Sequence, residues 1–365
     1  MNRLTRHTRF VATSVFVLAL AGAANAQNAL LPANIVTAAQ LGPADLTAIA
    51  AAIKPQVQAL TGPADQITTA RKQLLGPLAI TGNPSVPFRL RYAEELSKQL
   101  TPLLSGDNQM AKINALVLAG ELGTSDAARL LPAARKDTDP SVRFQAADAA
   151  RAILATYANA RGGTLLSDDD ARTLVTDTAK LVAAEKDPLV QDALLAALEA
   201  GVGNAKLQES AAKGLADAAN AIARSSDKSA ADPRVLEALQ RVADTFSNVL
   251  TRQGDNMNAA TKVAIGDFAA STLWHVKQAI GAKSVPGGEA QALRDSYANL
   301  AGSSENVLLR AGQSLASTFK MVAKDSASKI KQGNNQGDAA FVADANELIA
   351  AAVAQPFGIA ATRYK

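Results

Sequence analysis

Three times along the chain a turn of the same composition opens a helical pattern: Asp139-Pro140-Ser141-Val142, Asp187-Pro188-Leu189-Val190 and Asp232-Pro233-Arg234-Val235. Asn83-Pro84-Ser85-Val86 is a close fourth copy. An Asx side chain at such a place accepts from the first unpaired N–H groups of a helix. Pro in the first turn forfeits no hydrogen bond, and the apolar residue after it enters a core. Counted from each Asp, positions +3, +7, +10, +11 and +14 are apolar or small. They read Val142, Ala146, Ala149, Ala150, Ile153, then Val190, Leu194, Ala197, Leu198, Gly201, then Val235, Leu239, Val242, Ala243, Phe246. Such spacing is one stripe of a 3.6-residue helix.

An amphipathic stretch precedes each start, at 125–136, Asp168–Ala184 and 205–224, so the unit is a helical hairpin with the Asp-Pro turn between its arms. The starts recur after 48 and 45 residues, a period that implies an α-solenoid. Composition agrees. About 80 of the 365 residues are alanine, only 4% are aromatic, and long alternating β-branched runs are absent. Alanine is the best helix former and lets helices approach closely. The predicted fold class is all-α, a solenoid of hairpins with helical caps at both ends.

The run Asp139-Pro140-x-Val142-Arg143-x-x-Ala146-Ala147-x-Ala149 resembles the second helix of a HEAT repeat, in the variant also found in phycobilisome-lyase-type proteins. The resemblance spans roughly 83–250. Gln191 and Leu236 replace the Arg in the later copies, and the spacing is longer than in the compact variant. It implies a HEAT-like fold and no particular activity, because the same repeat serves unrelated functions.

The first 26 residues read differently. Arg3, Arg6 and Arg9 precede an apolar stretch from Phe10 to about Ala24, and Ala24-Asn25-Ala26 follows. A basic start, a short apolar run and small residues at −3 and −1 form the secretory pattern. The competing reading, an uncleaved anchor, needs roughly 20 apolar residues to span a bilayer, more than are present. Without Cys there is no lipoprotein anchor, and no Arg-Arg pair precedes the run, so export through Sec to the periplasm or the exterior is expected. No further membrane span is expected after cleavage. Removing the three Arg leaves 34 basic against 33 acidic residues, a near-neutral chain with no overall drive toward nucleic acid. Zero Cys excludes disulfides and thiolate metal sites.

Residues 27–82 read as a cap of short helices, 44–60 and 64–75, with Gly42-Pro43-Ala44-Asp45 echoed by Gly62-Pro63-Ala64-Asp65 and with Pro55 kinking or splitting the first. The repeats occupy 83–256. Residues 257–365 form a C-terminal helical region with candidate helices 258–280, 288–300, 305–330 and 339–354, broken by Gly and Ser turns at 281–288, 301–304 and 333–337. This region either continues the stack, with Ser304-x-x-Val307 as a degenerate fifth copy, or forms a separate bundle. In the tail, Phe357, Ile359 and Tyr364 are placed to dock on the last helix.

Few residue patterns promise chemistry. His7 lies in the leader, which leaves His275 as the lone histidine, against a two-His metal site or a Ser-His-Asp triad. His275 adjoins Trp274, and the pair is either a ligand contact on the concave face or a packed His beside the one Trp. Asp168-Asp169-Asp170 after Ser167 fits a helix cap, without calcium-loop spacing. No G-x-S-x-G, P-loop or G-x-G-x-x-G occurs, and neither cofactor nor metal is expected. On a helix spanning 305–331, Arg310, Lys320, Lys324 and Lys331 fall within roughly 80° of arc, opposite Leu308, Leu315, Phe319 and Val322. That face is either a contact for an acidic partner or solvated surface. The expected function is therefore non-catalytic binding or scaffolding in the bacterial envelope, with Asp139, Asp187 and Asp232 as structural caps. The expected partner is another protein or an acidic envelope component. The alternatives are an enzyme using carboxylate or Ser/Lys groups on the concave face, and a self-associating structural component.

The exported form is expected to begin at Gln27. Intact mass and N-terminal sequencing measure this, and recovery of the whole precursor in the membrane fraction would refute it.

Overall fold

The computed structural model describes residues 30–79, 84–159, 165–225, 232–283, 285 and 291–365. The leader, Asn83 and Gly288 of the sequence reading lie outside them. Among the described residues every regular element is helical, so the fold is all-α, and no helix is long and apolar enough to cross a membrane. Two compact units divide the chain, one up to Leu118 and one from Ala119.

The first unit holds α1 (Ala33–Val36), α2 (Pro43–Ala59), α3 (Ala64–Leu75), α4 (Val86–Ser105) and most of α5 (Gln109–Leu122). α2 packs on α3 and α4. It buries Ile49, Ile53 and Val57 and continues through Pro55 without being split there. Pro55 and Ala51, four residues back, both face solvent, so the carbonyl that loses its donor turns to water. Tyr92 stacks on Phe88 with ring centroids 5.2 Å apart and donates to the Leu74 carbonyl at 2.6 Å. The described residues of the fourth copy depart from the repeat start. Ser85 caps α4 by accepting from Phe88 N at 3.2 Å, and Val86 is 46% exposed.

In the second unit, α6 (Ser125–Ala128) and α7 (Leu131–Ala134) are single turns, not the one helix expected over 125–136. Pro132 causes the break, since it has no N–H and clashes with the carbonyl four residues back. The long helices follow: α8 (Pro140–Asn159), α9 (Asp168–Ala184), α10 (Pro188–Val202), α11 (Gln208–Ser225), α12 (Pro233–Gln253), α13 (Ala259–Gly281) and α14 (Gln291–Leu315). The chain ends with α15 (Ser326–Lys331), α16 (Asn335–Val353) and a 3-10 turn at Ala361–Tyr364. They stack in two rows. α9, α11, α13 and α16 pack in succession in one row, and α8, α10, α12 and α14 in the other. The Asp187 and Asp232 turns each lead from the first row to the second, and the Asp139 turn opens the first helix of the second row, as in a solenoid. α13 and α14 extend both rows, so the C-terminal region continues the stack, and Ser304 lies buried inside α14 rather than opening a helix.

The stripes read from the sequence are buried at every position except one. Val235 is half-buried and its neighbour Leu236 takes the core place. The caps are formed as their residue types require. Asp139 Oδ1 accepts from Ser141 N at 2.8 Å, Asp187 Oδ1 from Leu189 N at 2.9 Å and Val190 N at 3.3 Å, and Asp232 Oδ1 from Arg234 N at 2.9 Å. The tail buries Phe357, Ile359 and Tyr364, and it docks on α13 as well as on the last helix. Phe357 lies over Gly266, where a Cβ would collide with its ring. Tyr364 donates to the buried Asp267 at 2.7 Å, and Arg363 pairs with the same carboxylate.

Replacing Asp187 by Ala removes the acceptor for two amides and is expected to cost about 1 kcal/mol. The loss should concentrate in α10, because stacked repeats touch only their neighbours. Urea unfolding with hydrogen exchange at Leu189 and Val190 measures both, and an unchanged midpoint would refute the capping role.

Candidate functional site

The solvent side of the second row is organised by links between successive hairpins. Arg143, next to Val142 in the first motif, grips Glu185 with Nε–Oε2 at 2.8 Å and Nη2–Oε1 at 2.9 Å. Its Nη1 also donates to the Asp137 and Thr138 carbonyls. This bidentate bond holds the Glu185 carboxyl below its ordinary range. At the matching place one repeat later, Gln191 donates to the Glu185 carbonyl at 2.8 Å, and Leu236 then ends the series in the core.

A second set of links lies further along the same helices. Arg241 on α12 reaches back to α10, to Asp192 at 2.6 Å and Glu199 at 2.9 Å. Ser303 on α14 donates to Asp244 at 3.0 Å, and Arg310 to Thr251 Oγ1 at 2.5 Å. Burial raises the Glu199 carboxyl above its usual value despite Arg241. Phe144 stands five residues after Asp139, the place that Asp192 holds after Asp187, and it is 40% exposed. The face thus carries one exposed aromatic among paired charges. Sequence reasoning missed these links. Their signal was the separation of 42 residues between Arg143 and Glu185 and between Glu199 and Arg241, close to the repeat length.

The basic face expected on 305–331 does not exist. α14 stops at Leu315, and helix resumes only at Ser326. The cause is long-range. Glu305, buried within α14, accepts from the N–H groups of Lys324, Asp325 and Ser326, the donors a continuous helix would have spent on its own carbonyls. Phe319 folds over Gly312, where a Cβ would collide with its ring, and meets Phe357 edge-on at 5.7 Å. Asp325 takes a left-handed conformation, φ 55°. The four cations are dispersed accordingly. Arg310 is bound to Thr251, Lys324 pairs with Glu347, and Lys320 and Lys331 are exposed in a loop and a short helix. Lys329, on the other side of the imagined helix, pairs with Asp344, and Val322, expected to pack, is 78% exposed.

Trp274 and His275 also fail to form one surface, because adjacent residues on a helix point about 100° apart. Trp274 is half-buried, whereas His275 is buried and stacks on Tyr297 of α14 at 6.0 Å rather than on Trp274. Its Nε2 has no partner among the described residues. Desolvation pushes the imidazole down to about 4, so it is neutral at pH 7.

The acidic triplet is fully engaged. Asp168 accepts from Tyr157 at 2.6 Å and from Lys206 at 3.2 Å, Asp169 pairs with Arg172 at 2.9 Å, and Asp170 accepts from Ser167 Oγ at 2.7 Å. Ser167 in turn caps α9. No group of three His, Cys, Asp or Glu able to hold a metal occurs among the described residues.

Because the folded His275 binds its proton more weakly than the unfolded 6.5, stability from this group is complete above pH 6.5. It is lost as pH falls toward about 4, with a slope of at most about 1.4 kcal/mol per pH unit. Replacing His275 by Phe should flatten the unfolding free energy across that window, and an unchanged slope would refute the assignment.

Compared with the models of known protein families the chain matches none, and no curated protein is detectably similar to it.

Proposed function

We propose that the protein is an exported, non-catalytic binding or scaffold module of the bacterial envelope that holds a partner protein on the solvent side of its second row of helices. The supporting observation is the ladder that joins Arg241 to Asp192 and Glu199, Ser303 to Asp244 and Arg310 to Thr251. It ties the exposed side chains of α10, α12 and α14 into one preset polar surface. A preset surface loses less side-chain freedom on association, and extended faces of stacked repeats are surfaces on which other proteins lie. Phe144 supplies the exposed aromatic that such interfaces use as an anchor. The secretory pattern of the first 26 residues supports the location.

The test is capture from envelope extract with the mature chain as bait. Phe144→Ser with Glu237→Lys, both on the second row, should weaken capture of the bound protein at least about tenfold. Stability should change by under about 0.5 kcal/mol per surface site. Lys213→Ser on α11 in the first row should change neither. Capture that ignores the second-row pair would refute this surface.

A further inference from the structure

Arg135, just past α7, is 7% exposed, and among the described residues no carboxylate forms an ion pair with it. Its Nη2 donates to Thr178 Oγ1 at 3.0 Å, its Nε has no partner among the described residues, and Asp177 acts on it through charge alone. A guanidinium keeps its proton at neutral pH, and burial lowers this one only to about 10. Burying a guanidinium without an ion pair is costly, and the pull of Asp177 offsets only part of it, so an anion set beside the guanidinium would complete it.

The space for that anion is present. Arg135 lines a cleft of about 260 Å³ together with Arg143, Lys186, Glu185, Leu181, Ala184, Val190 and Leu194. Three cationic side chains and one carboxylate line it, and Glu185 is already spent on Arg143, while Asp137 and Asp187 act on Arg143 and Asp177 on Arg135 through charge from outside the lining. The rest of the wall is aliphatic. The volume lies below the roughly 300–1,000 Å³ typical of drug-sized sites, so it suits a group of a few heavy atoms.

We propose that this cleft binds a carboxylate carrying an aliphatic group, with the carboxylate on Arg135 and the group against Leu181, Val190 and Leu194. Two sources share that chemistry: a small branched carboxylic acid, and the free C-terminus of a peptide ending in an aliphatic residue. The inference goes beyond the protein-binding reading and does not rest on it.

The test uses the full mature chain, with 4-methylpentanoate, an N-acetylated dipeptide ending in Leu, and the C-terminal amide of that dipeptide. Each is titrated by calorimetry and by the shift in Tm. At least one carboxylate should bind at or below about 1 mM and raise the Tm, and the amide should bind at least about tenfold more weakly. The tighter of the two acids identifies the source. Arg135→Met should fold with an unchanged or higher Tm, since it removes a buried charge held by no ion pair, and should lose the ligand-induced shift. Ala184→Phe, which fills the mouth and leaves the guanidinium in place, should lose it too and decides the matter if Arg135→Met does not fold. The proposal is overturned if neither acid binds up to about 10 mM, if the amide matches the acid, or if the variants retain affinity.

Discussion

Where glycine and alanine meet, helices in this molecule pack nearly backbone to backbone, and the stacking of the rows depends on that closeness. A Cβ placed on Gly201 of α10 would lie 3.0 Å from the Ala211 Cβ of α11. One on Gly214 would lie 3.2 Å from Ala179 of α9, and one on Gly120 3.2 Å from the Ala149 Cα of α8. Such interfaces have no room for an added methyl group. They gain dispersion contacts between main chains beside the side chains, such as Leu198 and Phe246, that fill the rest of the core. This is the physical use of the alanine content, and it explains how the stack holds together with so few aromatics. Polar side chains then reach across the short gap between neighbouring helices of a row, as Asn220 of α11 does to Asp267 of α13 at 2.7 Å.

The parts of the fold written in local chemistry were legible in the sequence. An Asp-Pro start acts on the two or three amides beside it, so Asp139, Asp187 and Asp232 could be read without knowing what surrounds them. The buried stripes of α8 and α10, and the span of α9, follow from the same short-range rules. What remained hidden was set by residues far apart. The break after Leu315 depends on Glu305 taking amides about twenty residues away, and on Phe319 covering Gly312, neither of which changes the apolar spacing. Val235 shows the smaller version, where one residue of rotation in α12 puts Leu236 in the core.

The candidate site divides along the same line. Trp274 and His275 drew notice for their rarity, yet neighbours in sequence are not neighbours on a helix face, and packing against Tyr297 silences the imidazole. The four cations of 305–331 formed a face only on a helix that does not run through. Arg143, Arg241 and Arg135 carry the organised electrostatics. Each gains its meaning from a residue one repeat away, which becomes visible only once the order of the rows is known. Arg135 stands apart, because it holds a hydroxyl where the others hold carboxylates.

The links between hairpins also bear on how such a chain can change over generations. No two successive joints use the same pair: an Arg–Glu fork at one, an Arg shared by two acids at the next, and after that a Ser donating to an Asp beside an Arg donating to a Thr hydroxyl. A hairpin copied or deleted by recombination would meet a neighbour bearing the wrong complement, and would strand a half-buried carboxylate such as Glu185 or Glu199. The array therefore behaves as a set of addressed parts rather than interchangeable modules. Its length is held by side-chain bookkeeping at the joints, while the helices between them stay free to drift.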